Sequence, residues 1–370
     1  MIVSDQVLPN VLPTMDYSLK PDRVVLCETD AMQRRGLGSR LAKFFKSKKI
    51  KVEIFKLGSA YDFKELQKKF SELASKLGSS SADVAVNLTG GSKLISVVAQ
   101  NVFATKAFTC FYAVPQNNDL VEMKGGKAQH RQLQDKIKLN DYFNIHGYAV
   151  ISKREKNLKL VSGSHALCRE LFADFDKYGR QVSYLNKLAA GAEEYFSLKA
   201  KANIKKEQVP IFELFKKHGF ISSFDEEMVK FSSEEDRSFC KGIWLEDYLH
   251  QTLKSINKDD GLQDFATSIV IESASGAKHE LDAAFIYKNS LYIVDANISQ
   301  RQDREPGVIF KLDDLNSFAG IYIFSILVSF RGGNNLDSNR AKEWGIHQVQ
   351  SAEINELEKK IRAVIGVSTH

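Results

Sequence analysis

Three short stretches of the chain combine residue types that can do chemistry. The first is Asn87-Leu-Thr-Gly-Gly-Ser-Lys93, which follows an apolar run and opens an amphipathic one. Adjacent Gly90 and Gly91 let the backbone turn sharply and expose its N–H groups. A helix N-terminus adds its dipole, Thr89 and Ser92 add hydroxyls, and Lys93 adds a charge, which together suit a phosphate. The spacing is not that of a P-loop, which needs GxxxxGK[ST]. A Gly-Gly-Ser turn is also a common way to start a helix, and the residues alone leave both readings open.

The second stretch is Ser4-Asp-Gln-Val-Leu-Pro-Asn10. In a parallel sheet, the loop after the first strand often lies beside the loop after a central strand. Ser4, Asp5, Gln6 and Asn10 are therefore candidates to face the same ligand as the glycine corner. A proline-containing turn with an Asx cap is the plainer alternative.

The third stretch runs from His279 to Asn297. Two alternating segments are joined by Lys288-Asn-Ser290, a tight-turn signal. Asp282 begins one strand and Asp295 ends the next, so a hairpin brings both to one end of the sheet. Two carboxylates there can chelate a divalent metal, and Glu246, on the helix after Gly242-Ile-Trp-Leu, is a candidate third. Hairpins with polar ends are common, so the spacing alone does not demand a metal.

The elements that must position these residues fall into three patterns, an α/β fold class. Over residues 1–150, short apolar runs alternate with amphipathic ones: strands at Arg23–Cys27, Ile50–Phe55, Ala82–Leu88 and Ala107–Val114, and helices at Ser39–Lys48, Tyr61–Leu77 and Ser92–Thr105. Asp119–Met123 reads as a hairpin partner. Such alternation predicts a Rossmann-like parallel sheet covered by helices, which binds ligands beyond the carboxyl ends of its strands. Residues 151–234 turn helical (Ala166–Phe175, Val182–Phe196, Val209–His218) and end in an alternating segment, Phe220–Phe231. That order is winged-helix-like, or simply a spacer between two domains. Residues 235–370 form a third, compact α/β unit, with a helix at Ile243–Leu253, strands at Ser268–Glu272, Glu280–Tyr287, Leu291–Asp295 and Ile321–Phe330, a helix at Val308–Phe318 and a short tail helix at Ala352–Val364.

Composition narrows the field. The 370 residues are 43% hydrophobic and 26% charged, suited to two or three globular domains. No apolar run approaches the roughly 20 residues of a membrane span, and Met1–Asp5 does not read as a signal peptide. The four cysteines, Cys27, Cys110, Cys168 and Cys240, form no CxxC pair, which argues against a zinc site or disulfide framework and for a cytoplasmic location. The net charge of +6 is uneven. Residues 1–150 carry 22 Lys and Arg against 14 Asp and Glu, whereas residues 235–370 carry 15 against 20. A basic first third suits an anionic ligand, and an acidic last third suits carboxylates around a metal. No GxGxxG follows the first strand, which weighs against a dinucleotide-dependent oxidoreductase.

Taken in order, these segments resemble a known family. The Ser4–Asn10 loop, the Asn87–Lys93 corner and Leu133-Gln-Asp-Lys-Ile-Lys-Leu-Asn-Asp-Tyr-Phe143 resemble a CRISPR-associated Rossmann-fold (CARF) sensor domain. Gly242–Glu246, Glu280-Leu-Asp282, Leu291–Asn297, Lys311-Leu-Asp-Asp-Leu315, the glycine-bearing Ile326–Gly333 strand and Arg340-Ala341 resemble a restriction-endonuclease-like PD-(D/E)xK domain. The combination resembles the CARF-nuclease effectors of type III CRISPR systems. The resemblance implies a homodimer that binds a cyclic oligoadenylate, most often cyclic tetra-adenylate, across two sensor domains. It implies that binding switches on cleavage of DNA or RNA with Mg²⁺ or Mn²⁺ held by Glu246, Asp282, Asp295 and the Ala296 carbonyl. The messenger's phosphates would lie at Thr89–Lys93 and its bases near Ser4–Asn10.

One departure stands out. The family's acid-x-lysine triplet is Asp295-Ala-Asn297 here. In this class the lysine orients the attacking water and offsets charge on the scissile phosphate. Asn297 can orient water but has no charge to give, a loss of about 10²–10³ in rate for one electrostatic contact. Lys311, on the following helix, is a candidate replacement, and metal-bound water is another route. A catalytically decayed nuclease, acting as a messenger-gated binding or regulatory module, is the rival reading.

Overall fold

A computed structural model describes residues 1–16, 19–78, 84–114, 118–155, 161–297, 323–329, 339 and 341–366. Met1–Val3 starts the chain alongside the first named strand: Cys27 N donates to the Met1 carbonyl at 2.8 Å, and Val3 N to the Cys27 carbonyl at 2.9 Å. Helix α1 (Leu8–Met15) follows, then β1 (Arg23–Thr29), α2 (Asp30–Arg34), α3 (Leu37–Ser47), β2 (Lys51–Gly58), α4 (Phe63–Leu77), β3 (Ala85–Asn87), α5 (Lys93–Ala104), β4 (Thr109–Val114), β5 (Asp119–Lys124), β6 (Lys127–Gln132) and α6 (Leu139–Ile145). β1 and β2 pair in parallel, as do β3 and β4. β5 and β6 then extend the sheet antiparallel. The expected strand–helix alternation is present. β6 was not expected, because Lys127–Gln132 is polar apart from Ala128 and almost wholly exposed, with no apolar period to betray it.

The next strand, β7 (Tyr148–Glu155), leaves the sensor layer altogether. It pairs antiparallel with β11 (Asp264–Ser273) at the edge of a six-stranded sheet. Between them lie α7 (Ser164–Ala173), α8 (Phe175–Glu194), β8 (Lys199–Lys201), α9 (Val209–Lys217), β9 (Ile221–Phe224), β10 (Met228–Phe231), α10 (Glu234–Ser238) and α11 (Trp244–Asp260). β9 and β10 form a hairpin after the helices, and β8, which lies between α8 and α9, pairs antiparallel with the other edge of β10. Pro210 sits in the first turn of α9, where its missing N–H costs nothing, and Gly219 follows the helix at φ +87°.

The large sheet is completed by β12 (Lys278–Tyr287), β13 (Ser290–Asn297), β14 (Ile323–Ser329) and β15 (Ile346–Gln350), in the order β15-β14-β13-β12-β11-β7, and α12 (Leu357–Val364) closes the described chain. Ala284, Ile286, Leu291, Ile293 and Leu327 share a core with the first domain. Ala283, Phe285, Tyr292, Val294, Ile326 and Val328 pack with the middle helices on the other side. A sheet buried on both faces demands apolar residues on successive positions, as in Ala283–Ile286 of β12, Leu291–Val294 of β13 and Ile326–Val328 of β14. The expected Val308–Phe318 helix lies outside the described residues.

Candidate functional sites

The glycine corner and the first loop are in contact. A Cβ on Gly90 would stand 2.1 Å from the Ile2 carbonyl oxygen and 3.1 Å from Ser4 Oγ, so only glycine allows this approach. Gly91 is exposed and left-handed at φ +85°. Asn87 locks the two segments together: its Nδ2 donates to the Pro9 carbonyl at 2.9 Å, and its Oδ1 accepts from Thr89 N at 3.0 Å. Thr89 Oγ1 accepts from Ala113 N at 2.7 Å, which leaves the hydroxyl proton to donate elsewhere. Ser92 caps α5, accepting from Ile95 N, and Lys93 is the exposed first residue of that helix. A left-handed glycine turn, a helix N-terminus and an exposed lysine thus stand together at this corner, features that suit an anionic phosphate.

The residues expected in the first loop divide. Ser4 is half-buried, and its Oγ donates to the Gln6 carbonyl at 3.2 Å. Asp5 and Gln6 are exposed, with Asp5 paired to Arg35. Asn10 is not in a ligand-facing loop: it lies inside α1, fully buried, with Nδ2 donating to the Ile2 carbonyl at 3.1 Å. The helix begins at Leu8 because Pro9 is tolerated in a first turn, so the proline that suggested a turn in fact opens a helix. Sequence reasoning missed the bracing role of Asn87. Its position at the end of a strand just before the glycines was the available signal.

The nuclease-like site lies at the open end of the β12–β13 hairpin. Lys288 and Asn289 are both left-handed, at φ +46° and +60°, and make a two-residue turn. Pairing runs from Tyr287–Ser290 to Ala283–Val294, and Asp282 and Asp295 are the next residues in register. Asp282 Oδ2 accepts from Ala296 N at 2.6 Å, so this carboxylate meets the backbone beside Asp295. Asp295 is buried and lies level with Leu327 of β14. Asn297 ends β13. Lys311 and Arg340 lie outside the described residues.

Glu246 is the exception to the expected three-carboxylate set. It stands in the first turn of α11, just after a π-turn at Phe239–Ile243. Its Oε2 accepts from Arg154 Nη1 at 3.1 Å and from Ser268 Oγ. Ser268 is a left-handed residue at φ +49°, where the register between β7 and β11 shifts. Among the described residues, no group of three His, Cys, Asp or Glu side chains is arranged to hold a metal ion. The guanidinium and the serine hold Glu246 instead. Arg154 and Ser268 were not singled out in the sequence, since Arg154 lies in a stretch that reads as the beginning of a spacer.

Comparisons with known proteins fit this geometry. Residues 1–142 match the family model described as the Card1 CARF domain, and residues 233–366 match that of the Card1-like endonuclease domain. No curated protein matches the chain. The fold is similar to that of protein VC1899 from Vibrio cholerae, with a TM-score of 0.88 at 20% identity over 99% of this chain and 97% of that one. It is also similar to Can2 from Sulfobacillus thermosulfidooxidans, solved with cyclic tetra-adenylate, with a TM-score of 0.80 at 19% identity over 98% of each chain. A type III CRISPR defence DNA nuclease activated by cyclic oligoadenylate gives 0.59 at 15% identity, over 97% of this chain and 50% of that one. With its first part matched to one domain and its last to the other, the chain belongs to the family that joins a Card1-type CARF sensor to a Card1-like endonuclease.

Proposed function

We propose that the protein is a nuclease of type III CRISPR antiviral defence, switched on by cyclic oligoadenylate, with cyclic tetra-adenylate as the activator. The carrying observation is the interlocked corner of Gly90, Gly91, Thr89 and Lys93 in one domain, joined to the Asp282–Asp295 hairpin end in a chain whose two domains match CARF and endonuclease families. Exposed Gly91 and Lys93 receive the messenger's phosphates, and Ser4, Asp5 and Gln6 lie beside them for its bases. A ring with rotational symmetry favours a twofold site, so the working form is a homodimer with one messenger per two chains. Exposed apolar Val97 and Tyr112 on the sensor are consistent with a partner surface.

Asp282 and Asp295, on neighbouring strands, are hard oxygen donors that fit Mg²⁺ or Mn²⁺, with the Ala296 carbonyl as a further donor. Glu246, held through Oε2 by Arg154 and Ser268, is the candidate third donor. A bound ion would lower the pKa of water and polarise the scissile phosphate. Asn297 orients the water, and the backbone N–H of Ala296 fixes the Asp282 carboxylate. The substrate is DNA, RNA or both. The test is cleavage of plasmid, single-stranded DNA and RNA in Mn²⁺, with and without cyclic tetra-adenylate, beside light scattering of the ligand-bound protein. Messenger-dependent cutting by a dimer supports the proposal. A protein that binds messenger and cuts nothing is the regulatory module that the Asn297 departure would suggest.

A further inference from the structure

The middle unit carries a surface that neither candidate site uses. α8 ends at Glu194, and the next two residues, Tyr195 and Phe196, are the most exposed large apolar side chains among the described residues, at 82% and 89%. Phe196 is also left-handed, at φ +50°, which an aromatic residue seldom adopts. The turn that displays them is braced from within. Phe196 N donates to the Glu193 carbonyl and Ser197 N to the Ala192 carbonyl, both at 2.9 Å. The buried Arg237 donates through Nη1 to the Ser197 carbonyl at 2.8 Å, and Lys199 N donates to Ser197 Oγ at 2.9 Å. Two rings that burial would make stabilising are instead displayed on fixed backbone.

Three residues after Phe196 the chain enters β8. Lys199 and Lys201 face solvent, and Ala200 between them faces the core. β10 repeats the pattern, with Val229 buried opposite Ala200 and Lys230 exposed opposite Lys199. Lys199, Lys201 and Lys230 therefore share the outer face of this sheet, with exposed Ser223 of β9 level with Lys230. None of the three lysines is in an ion pair with a described residue. Lysines on an edge strand such as β8 guard it against stray pairing. That does not account for Lys230, which sits on the central strand directly opposite a second lysine, where like charges repel. Of the nearby acids, Glu193 is paired with Lys241, Asp225–Glu227 lie at the turn between β9 and β10, and Glu194 is exposed beside the rings.

A partner for this surface must bring repeated negative charge together with flat faces for two rings. A single strand of nucleic acid brings both at every nucleotide, phosphates for the lysines and bases for the rings. A duplex keeps its bases stacked on one another and offers the rings little. We propose that the outer face of the β8–β10–β9 sheet, with Tyr195 and Phe196 at its rim, binds a single strand of nucleic acid, as a surface separate from the Asp282–Asp295 hairpin end. Phe196 and Lys199 are three residues apart, a span of at most about 11 Å, so rings and lysines can meet one strand together. The purpose of the surface, holding substrate, rests on the nuclease proposal above; the binding itself does not.

The test is fluorescence anisotropy of a labelled oligothymidylate with the full-length protein and cyclic tetra-adenylate, in EDTA so that nothing is cut. Tyr195→Ser/Phe196→Asn removes both rings and gives the left-handed position a residue that tolerates it. Lys199→Gln/Lys230→Gln removes the two facing charges. All four side chains are exposed, so melting temperatures should hold, or rise for the lysine variant. The ring variant is expected to bind the single strand at least about tenfold more weakly, with less than about threefold change for a duplex of the same length. The lysine variant is expected to bind at least about fivefold more weakly at low salt, and its plot of log affinity against log salt should be shallower by about 1.4. A parent protein that does not bind the oligonucleotide, or folded variants that bind it as the parent does, overturns the proposal and leaves the lysines as guards of the sheet edge. Loss of self-association by the ring variant in light scattering also overturns it, by assigning the rings to a contact between copies. If the parent binds the strand through this face but cuts nothing with metal and messenger, the nuclease reading fails and the surface stands.

Discussion

The glycine corner and the carboxylate hairpin are built in opposite ways. The corner comes from two segments, Ile2–Gln6 and Asn87–Lys93, packed so closely that Gly90 has no room for a Cβ. Its expected ligand donors are largely backbone N–H groups whose directions are set by a turn and a helix start. The proposed nuclease end draws its candidate groups from β12, β13 and α11, and one of the three candidate carboxylates, Glu246, is held by Arg154 and Ser268. The first site is fixed before a ligand arrives. In the second, Glu246 Oε2 is already engaged by Arg154 and Ser268. That contrast suits a sensor whose binding is constant and an effector whose activity is conditional.

The largest effect expected is at the hairpin. Asp282→Ala and Asp295→Ala should each lower metal-dependent cleavage by about 10³-fold or more while leaving messenger affinity unchanged. Cleavage that survives either change would place the catalytic centre elsewhere. At the corner, Gly90→Ala forces a Cβ onto the Ile2 carbonyl and should cost about 1–3 kcal/mol of stability, with loss of messenger binding. Lys93→Ala tests the charge alone, and should weaken binding by about 1.5–3 kcal/mol without moving the melting temperature. Unchanged affinity by calorimetry would remove the corner from the site.

A third test asks how the two regions are joined. Asn289, at the turn of the β12–β13 hairpin, is buried, and its Nδ2 donates to Asn118 Oδ1 at 2.6 Å and the Gln134 carbonyl at 3.2 Å, both in the sensor. Gln263 Nε2 donates to Asn289 Oδ1 at 2.8 Å and to the Ile137 carbonyl at 3.2 Å. Asn289→Ala strands several buried partners and gives up a residue type tolerant of φ +60°, so it should cost about 1–3 kcal/mol in urea melts. A neutral substitution would mean that water replaces this junction readily.

The smallest effect is a difference in thiol reactivity. All four cysteines are buried and free. Burial pushes Cys110 up to about 11 and raises Cys168 as well, so labelling at pH 8 requires local opening. Cys27 is bridged to Ile2, and Cys110 lies on β4 next to the corner. Messenger binding should slow labelling of Cys27 and Cys110 and leave Cys168 and Cys240 unaffected. Equal protection of all four would mean that the ligand stabilises the whole chain rather than the corner.

The corner was readable because its cause is local. Gly90, Gly91 and Ser92 announce a turn and a cap within a few residues, whereas Asn10 was read as part of a loop and lies inside α1, since Pro9 signals both a turn and a helix start. The strands β12 and β13 were legible from their apolar runs and the Lys288–Asn289 turn. The Glu246 environment was not, because it depends on Arg154, more than 90 residues earlier, on a strand added to a sheet edge. β7 alternates weakly and precedes a helical region, so nothing nearby says that it pairs with β11. Contacts set by strand order and register have no signature in a single segment.

The central claim is that occupancy of the corner governs chemistry at the hairpin. A titration of cleavage rate against cyclic tetra-adenylate in Mn²⁺, run on the parent protein, Lys93→Ala and Asp295→Ala, tests it directly. The account predicts no cutting without messenger, a Lys93→Ala curve shifted to higher messenger concentration but rising to the parent plateau, and no cutting by Asp295→Ala at any concentration. Cleavage by the parent that is independent of messenger, or an unshifted curve for Lys93→Ala, would contradict it.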